Sequence, residues 1–311
     1  MPAMYCHRCG EMAAIRMRQH RLQLCKAHYL EWVMQQTEHV IKKFQMFTRY
    51  EKVMIAVSGG KDSLSLWDVL GRLGYTTEGM YINLGIESAE HYSDASEGYA
   101  RRFAEERGLM LHTFNVAGQF GKPMQEFARQ KKWGKERPCG VCGMIKRHVM
   151  NQAAQEQGCA VLATAHNLDD EAALLMLNTM SWHVDILRRQ SPVLEAGAGL
   201  PRKVKPFCRF YERETAAYAL LCGIDYVEEE CPHAGGSAQI YYKGILNQIE
   251  SEHTGHKMNF YTNFLSARAK LFGAKVEKDL STGQACPQCG QPTTSNGLCS
   301  FCRMITAQDN G

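Results

Sequence analysis

The chain lacks any run of the ~18 consecutive apolar residues that a bilayer-spanning helix needs, and Met1 to Arg8 carries no apolar segment of a secretory leader. Charge of one sign is not in excess either. The 36 basic and 32 acidic residues leave a net charge of +4, which excludes a protein that coats nucleic acid by charge alone and leaves room for a balanced enzyme with a local basic face. The Walker A string G-x4-G-K-S/T is absent, so an ordinary P-loop is excluded. Low-complexity tracts are missing too, and the two cysteine-rich ends, though similar in kind, are not long-period repeats. With 45% hydrophobic and 22% charged residues over 311 positions, a sizeable core is affordable. A cytoplasmic enzyme with no membrane association is expected.

Cysteine is what the chain has in abundance. There are 13, an odd number that a cytoplasmic protein would rarely spend on disulfides. Their spacing points to metal. Cys6-x2-Cys9 is followed by Cys25-x2-His28, and Cys286-x2-Cys289 by Cys299-x2-Cys302. Each end thus holds four ligands with no open position, the pattern of a structural zinc site. Segments this short bury little core, so metal binding would hold them folded. Three units are expected: an N-terminal zinc finger over 1–35, a catalytic domain over 36–280 and a C-terminal zinc finger over 281–311. Arg16, Arg18, His20, Arg21 and Lys26 make the first finger either an RNA contact or simply a solvated basic face.

Between the ends, apolar runs and helical periods alternate. Strands are expected at 52–57, 77–84, 110–116, 160–165 and 204–207. Helices are expected near 27–47, 64–73, 93–107, 142–157, 168–179 and 212–222, with Gly108 and Gly158 closing two of them. A long helical stretch is expected from about 240 to 272, then a linker to 285. Strand–helix alternation of this kind predicts an α/β fold, a parallel sheet with helices on both faces.

The first apolar strand runs straight into Ser58-Gly59-Gly60-Lys61-Asp62-Ser63. Glycines let backbone N–H groups approach oxygen closely, a following helix start favours negative charge, and the two serines add hydroxyls. A second string, Ala163-Thr-Ala165-His166-Asn167-Leu-Asp169-Asp170-Glu171, puts carboxylates at another strand end. They suit Mg²⁺ beside phosphates, or equally a capped helix start. Cys139-x2-Cys142 has no second pair nearby. On spacing alone it is a redox pair, half of a zinc site, or, with Cys231, a three-thiolate holder for a [4Fe-4S] cluster. The segment Gln130-Lys-Lys-Trp-Gly-Lys-Glu-Arg137 is basic, holds an aromatic and leads into Cys139, so it suits stacking on an unpaired base or is a charged loop.

The phosphate-type string resembles the pyrophosphate loop of the N-type ATP pyrophosphatases, the PP-loop enzymes, and the His166-Asn-Leu-Asp-Asp170 string resembles their second motif, with Ala165 in place of a glycine. Taken with the cysteine pattern, with Arg189-Gln-Ser-Pro-Val-Leu194, with Lys205-Pro-Phe207 and with Glu229-Glu-Cys-Pro232, nearly the whole chain resembles the TtuA branch of the TtcA/TtuA tRNA 2-thiolation family. That resemblance implies an ATP-dependent tRNA sulfurtransferase that adenylates the C2 oxygen of a uridine, the T-loop 5-methyluridine, and replaces it with sulfur. It implies a [4Fe-4S] cluster on Cys139, Cys142 and Cys231, two Zn ions at the ends, and ATP with Mg²⁺. Ala56, Ser58, Gly59, Gly60, Lys61, Asp62, Ser63, Ile82, Lys146, Ala165 and Asp170 would contact ATP. Lys146, Asp62 and Asp170 would join the three cysteines as catalytic residues. The implied partners are tRNA, a ubiquitin-like sulfur-carrier protein or another sulfide donor, and a second copy of the chain. A PP-loop enzyme that thiolates a small metabolite or another tRNA position is the alternative reading.

Overall fold

The structure is a computed structural model and describes residues 3–87, 91–129, 138–197, 199–235, 237–272 and 284–307. A small hairpin, β1 (Ile15–Met17) and β2 (Leu22–Leu24), precedes α1 (Lys26–Lys43). Then come β3 (Val53–Val57), α2 (Lys61–Arg72), β4 (Thr77–Asn83), α3 (Tyr92–Arg107) and β5 (Leu111–Asn115). Two short helices, α4 (Val116–Phe120) and α5 (Met124–Arg129), lead to α6 (Pro138–Glu156), β6 (Val161–Ala163), α7 (Leu168–Met180) and α8 (Val184–Arg189). Strands β7 (Val193–Leu194) and β8 (Arg202–Val204) follow, then α9 (Glu212–Cys222), α10 (Ala238–Glu252) and α11 (His256–Phe272). The last unit holds β9 (Gln284–Ala285), β10 (Pro292–Thr293) and α12 (Ser300–Thr306).

The central sheet runs β5-β4-β3-β6-β8-β7. All neighbours pair in parallel except β7, which lies antiparallel on β8. Burial on both faces explains the unbroken apolar run of β3. Val53, Ile55 and Val57 face a core shared with α1, α2, α3 and α9, while Met54 faces α6. Gly79 of β4 is required by packing, because a Cβ there would stand 2.3 Å from the Trp67 ring of α2.

From β3 the chain winds outward through β4 to β5, then returns to β6 on the other side of β3. The strand order therefore reverses between β3 and β6, and a crevice opens there at the carboxyl ends of the strands, where open α/β sheets take ligands. The loops leaving β3 and β6 are the two motif-bearing strings.

The expected alternation is present, with differences at the edges. Helix α6 starts at Pro138, four residues earlier than its periodicity suggested, so Cys139 and Cys142 stand within its first five residues. The stretch expected as one helix to residue 272 is two, broken at Gly255 with φ +94, a backbone region that only glycine enters freely. The strand expected at 204–207 lies at Arg202–Val204, because Lys205 already turns away to a carboxylate on α7. The basic segment 130–137 and most of the expected linker lie outside the described residues. Neither end behaves as a free appendage. Met17, Leu24 and Cys25 join the core of α1 and β3, and Phe301, Cys302 and Met304 join that of α6. Among the described residues no helix is long and apolar enough to cross a membrane.

Candidate functional site

The loop after β3 is held open by its own serines. The Ser58 amide donates to Ser63 Oγ at 3.0 Å, and Ser63 Oγ donates to the Gly60 carbonyl at 3.0 Å. Gly59 has φ +75, and a Cβ there would lie 2.2 Å from the Ser96 carbonyl oxygen on α3. Only glycine satisfies both constraints. Gly60 caps α2 without a side-chain bond, so the helix start remains open to an anion.

Charges alternate around this loop. Lys61 Nζ lies 2.9 Å from Glu212 and 3.3 Å from Asp62. Lys243 Nζ lies 2.7 Å from Glu212 and 3.0 Å from Asp170. Burial acts to raise Glu212, but Lys243 and Lys61 overcome it and hold its carboxyl down to about 2. Burial likewise works to discharge Lys61, and Asp62 and Glu212 hold it above its usual range. Asp62 is pushed up by burial, against Lys61 and a hydrogen bond from Thr215. These charges stay paired and fixed, as an electrostatic site for a polyanion with its metal requires.

The second string caps α7. Asn167 Oδ1 accepts from the Asp170 amide at 3.1 Å, and Asp170 Oδ2 accepts from the Asn167 amide at 3.2 Å. The two adjacent aspartates separate. Asp170 faces Lys243 beside the loop, whereas Asp169 is buried against Lys257 at 2.6 Å and accepts from the Glu212 amide at 2.9 Å. Asp170 thus stays beside the loop with Asp62, whereas Asp169 anchors α11 and the start of α9. Ala165 packs on the main core rather than lining either cavity described below.

Two cavities meet at Ser58 and Tyr92. One, of about 470 Å³, is lined by Gly60, Lys61, Asp62, Glu212 and the acidic run Glu228, Glu229 and Glu230. The other runs between the sheet and α6 along Ala56, Ile82, Lys146, Cys142 and Cys231. Cys139, exposed on the same turn of α6, donates from Sγ to the His233 carbonyl at 3.4 Å. The three thiols thus come from two distant segments to one place. Burial pushes the Cys142 thiol up, and Lys146, one helical turn on, draws it back. Val227, four residues before Cys231, donates its amide to the Gly59 carbonyl at 3.0 Å.

The end clusters are tighter. Cys6, Cys9, Cys25 and His28 bring their ligand atoms within 4.8 Å of one another, as do Cys286, Cys289, Cys299 and Cys302. Cys9 and Cys25 sulfurs stand 3.7 Å apart, Cys289 and Cys299 sulfurs 3.8 Å apart, and His28 Nδ1 lies 3.3 Å from Cys25 Sγ. Metal–sulfur bonds of about 2.3 Å in a tetrahedron put sulfurs about 3.8 Å apart, so both quartets fit one ion each. Glu212, Lys243, Thr215 and Lys257 were not legible as site residues. They lie on α9, α10 and α11, outside both motifs, and only tertiary packing reveals them.

A parallel sheet with an anion-binding glycine loop at its switch point is the frame of a nucleotide-using PP-loop protein. Residues 29–233 match the model of the PP-loop domain family. A relative from Thermus thermophilus named tRNA-5-methyluridine(54) 2-sulfurtransferase is 44% identical over 98% of this chain and 92% of its own. A relative of the same name from Pyrococcus horikoshii is 36% identical over 96% of this chain and 93% of its own. Among solved structures, the U34-tRNA thiolase NcsA from Methanococcus maripaludis with its [4Fe-4S] cluster superposes with a TM-score of 0.78 at 23% identity, over 99% of this chain and 97% of that one. The last likeness shows a common fold. The chain belongs to the PP-loop family and, within it, to the family of the tRNA-5-methyluridine(54) 2-sulfurtransferases.

Proposed function

We propose that this chain is an ATP-dependent tRNA sulfurtransferase that adenylates the C2 oxygen of a uridine, the T-loop 5-methyluridine, and exchanges that oxygen for sulfur. One cavity wall carries the reading: Ala56 and Ile82 share it with Lys146, Cys142 and Cys231. A nucleotide base against the first pair would place the reacting centre beside the thiols.

ATP lays its phosphates on the Ser58–Ser63 loop, with Lys61 and the start of α2 facing the charge. The uridine C2 oxygen attacks the α-phosphorus, the bond to the bridging oxygen breaks, and pyrophosphate leaves with that electron pair. Lys61 and Lys146 would offset charge on the leaving group. A uridine oxygen leaves poorly as oxide, whereas AMP leaves well. A sulfur nucleophile can then add at C2, and AMP departs. The target base must come out of its stack to reach the cavity.

Cys139, Cys142 and Cys231 fit a [4Fe-4S] cluster. The donor set is three thiols: Cys142 and Cys231 line one cavity, Cys139 reaches the His233 carbonyl two residues past Cys231, and thiolates are the usual ligands of such a cluster. When bound, such a cluster supplies an iron without a protein ligand, a Lewis-acidic point for hydrosulfide. Asp62 and Asp170 fit Mg²⁺ beside the phosphates. One Zn ion at each end quartet accounts for the ligand spacing. Sulfur arrives from a ubiquitin-like carrier or another sulfide donor, the chain acts as a homodimer, and the cytoplasm is the compartment this chemistry implies.

The test is mass spectrometry of tRNA nucleosides from a strain lacking the gene. Loss of one thiolated nucleoside is expected, and its identity names the position. An unchanged nucleoside profile would sink the assignment.

A further inference from the structure

A third cavity, of about 480 Å³, shares Glu212 with the phosphate cavity but is lined by neither the glycine loop nor a thiol. Its volume is that of a small-ligand or nucleotide site. The walls come from three parts of the chain: Arg18 of the N-terminal finger, Arg213 at the start of α9, and Asn247, Ser251, Thr254 and Lys257 around the junction of α10 and α11. The finger is fixed against α9. His20 lies 2.9 Å from the buried Glu214 carboxylate, and Gln19 donates to that same carboxylate. The Tyr29 hydroxyl donates to the Glu214 carbonyl at 2.6 Å, and Arg213 donates to the Gln19 side chain. The single helical turn Arg18–His20 is thereby held on α9, with Arg18 and Arg213 lining one cavity.

The lining charges balance in number but not in pairing. Asp169, Glu212 and Glu250 face Arg18, Arg213 and Lys257. All three carboxylates are engaged. Asp169 holds Lys257 at 2.6 Å, Glu212 holds Lys61 at 2.9 Å and Lys243 at 2.7 Å, and Glu250 accepts from the Gly255 and Lys257 amides at 2.6 and 2.8 Å. The two guanidinium groups are what remains. Among the described residues Arg18 has no side-chain partner, and Arg213 has only neutral ones, Gln19 and the Tyr211 ring 5.5 Å away. Two such groups in one cavity match the oxygens of a phosphate. Arg18, Arg213, Asn247, Ser251 and Thr254 are all exposed, so the cavity is a surface trough that a chain can cross. The one aromatic in its lining, Tyr211, is buried, so it offers cations and hydroxyls but no exposed ring on which a base could stack.

We propose that this trough between the N-terminal finger, α9 and the α10–α11 junction binds the sugar–phosphate backbone of the RNA substrate, with Arg18 and Arg213 on a phosphate. This rests on the proposed tRNA activity. Contacts of this kind set the register of the RNA and do not read its bases. Glu212 stands between the trough and the phosphate loop, so a backbone held here lies next to the place where the target oxygen would meet ATP.

The test is tRNA binding to the full-length protein across a salt series, comparing wild type with Arg18→Gln, Arg213→Gln, the double variant and Ser251→Glu. Lys42→Gln, at an exposed residue of α1 outside the trough, is the control and should bind as wild type does. Each arginine variant should reduce the steepness of log K against log salt by about 1, and the double variant should bind about tenfold or more weakly near physiological salt. Ser251→Glu places a carboxylate on the α10 side of the trough and should weaken tRNA binding with both arginines intact. ATP and inorganic pyrophosphate affinities should stay unchanged in every variant, because none of these residues lines the phosphate cavity. Arg18 has no side-chain partner to lose, so Arg18→Gln should also keep the wild-type melting temperature and separates lost binding from lost folding. Wild-type salt dependence in both single arginine variants overturns the site. Wild-type tRNA binding by Ser251→Glu overturns the trough as the place of contact. A weaker affinity of Arg18→Gln for pyrophosphate overturns the assignment to an RNA backbone. A wild-type protein that binds no tRNA at any salt removes the functional reading and this site with it, a failure distinct from the other three.

Discussion

His148 of α6 lies flat on Phe301 of α12, with ring centroids 3.6 Å apart and planes 11° from parallel. Gln291 donates to the His148 carbonyl at 2.9 Å and accepts from Asn151 at 3.2 Å. The C-terminal module is thus clamped to the helix that carries Cys139, Cys142 and Lys146. Phe301→Ala should cost about 3–5 kcal/mol of stability, read as a lower denaturation midpoint. Removing metal from the Cys286–Cys302 quartet with a chelator should act in the same direction. A midpoint unchanged by both treatments would show that the module is not coupled to α6.

The same contact predicts a pH dependence. Burial pushes His148 down to about 4, so the folded chain resists a proton that the unfolded chain accepts near 6.5. The unfolded state then binds more protons, and stability rises with pH across that interval. His148 contributes its full share above about 6.5, and the share is lost as pH falls from there toward about 4. Denaturation midpoints followed from pH 7 to 4 should decline, and a His148→Gln variant should decline less.

Gly59→Ala should destroy adenylation while leaving most of the fold in place. Its Cβ would strike the Ser96 carbonyl, and its φ of +75 is foreign to alanine. ATP–pyrophosphate exchange should fall about 100-fold or more, the scale of losing aligned donors. Gly79→Ala is the contrasting case. Its clash is with Trp67 inside the core, so stability should fall first.

Cys231→Ser and Cys142→Ser should each lower iron and sulfide bound per chain and abolish thiolation. ATP binding should persist, because the phosphates would rest on the Ser58–Ser63 loop, whose serine hydrogen bonds involve neither thiol. Lys146→Met should behave differently, keeping the iron while losing turnover. Anaerobic iron and sulfide analysis beside nucleotide titration separates the two patterns.

Much of this was legible in the residues. The run Val53–Val57 announces a doubly covered strand, and Gly108 and Gly158, with φ +62 and +63, end their helices as their positions suggest. The two motif strings mark the crevice because their local chemistry serves anions directly. What stayed hidden is non-local. Nothing near Asp169 announces that Lys257, on a helix far along the chain, takes it away from the nucleotide. The two-residue strand β7 exists only because β8 offers it an edge. The start of α6 was legible in principle, since Pro138 suits a first helical turn, but the periodicity that defines a helix begins only once a face is buried. Gly255 carried a break signal that an unbroken apolar pattern on either side concealed.

The hydrogen bond from Val227 to Gly59 ties the backbone before Cys231 to the turn that cradles the phosphates. Two motifs far apart in the chain are therefore joined through main chain alone. In the proposed reaction the phosphate turn and the approach to the third thiol would then share one stretch of main chain, the bonded amide standing only four residues before Cys231.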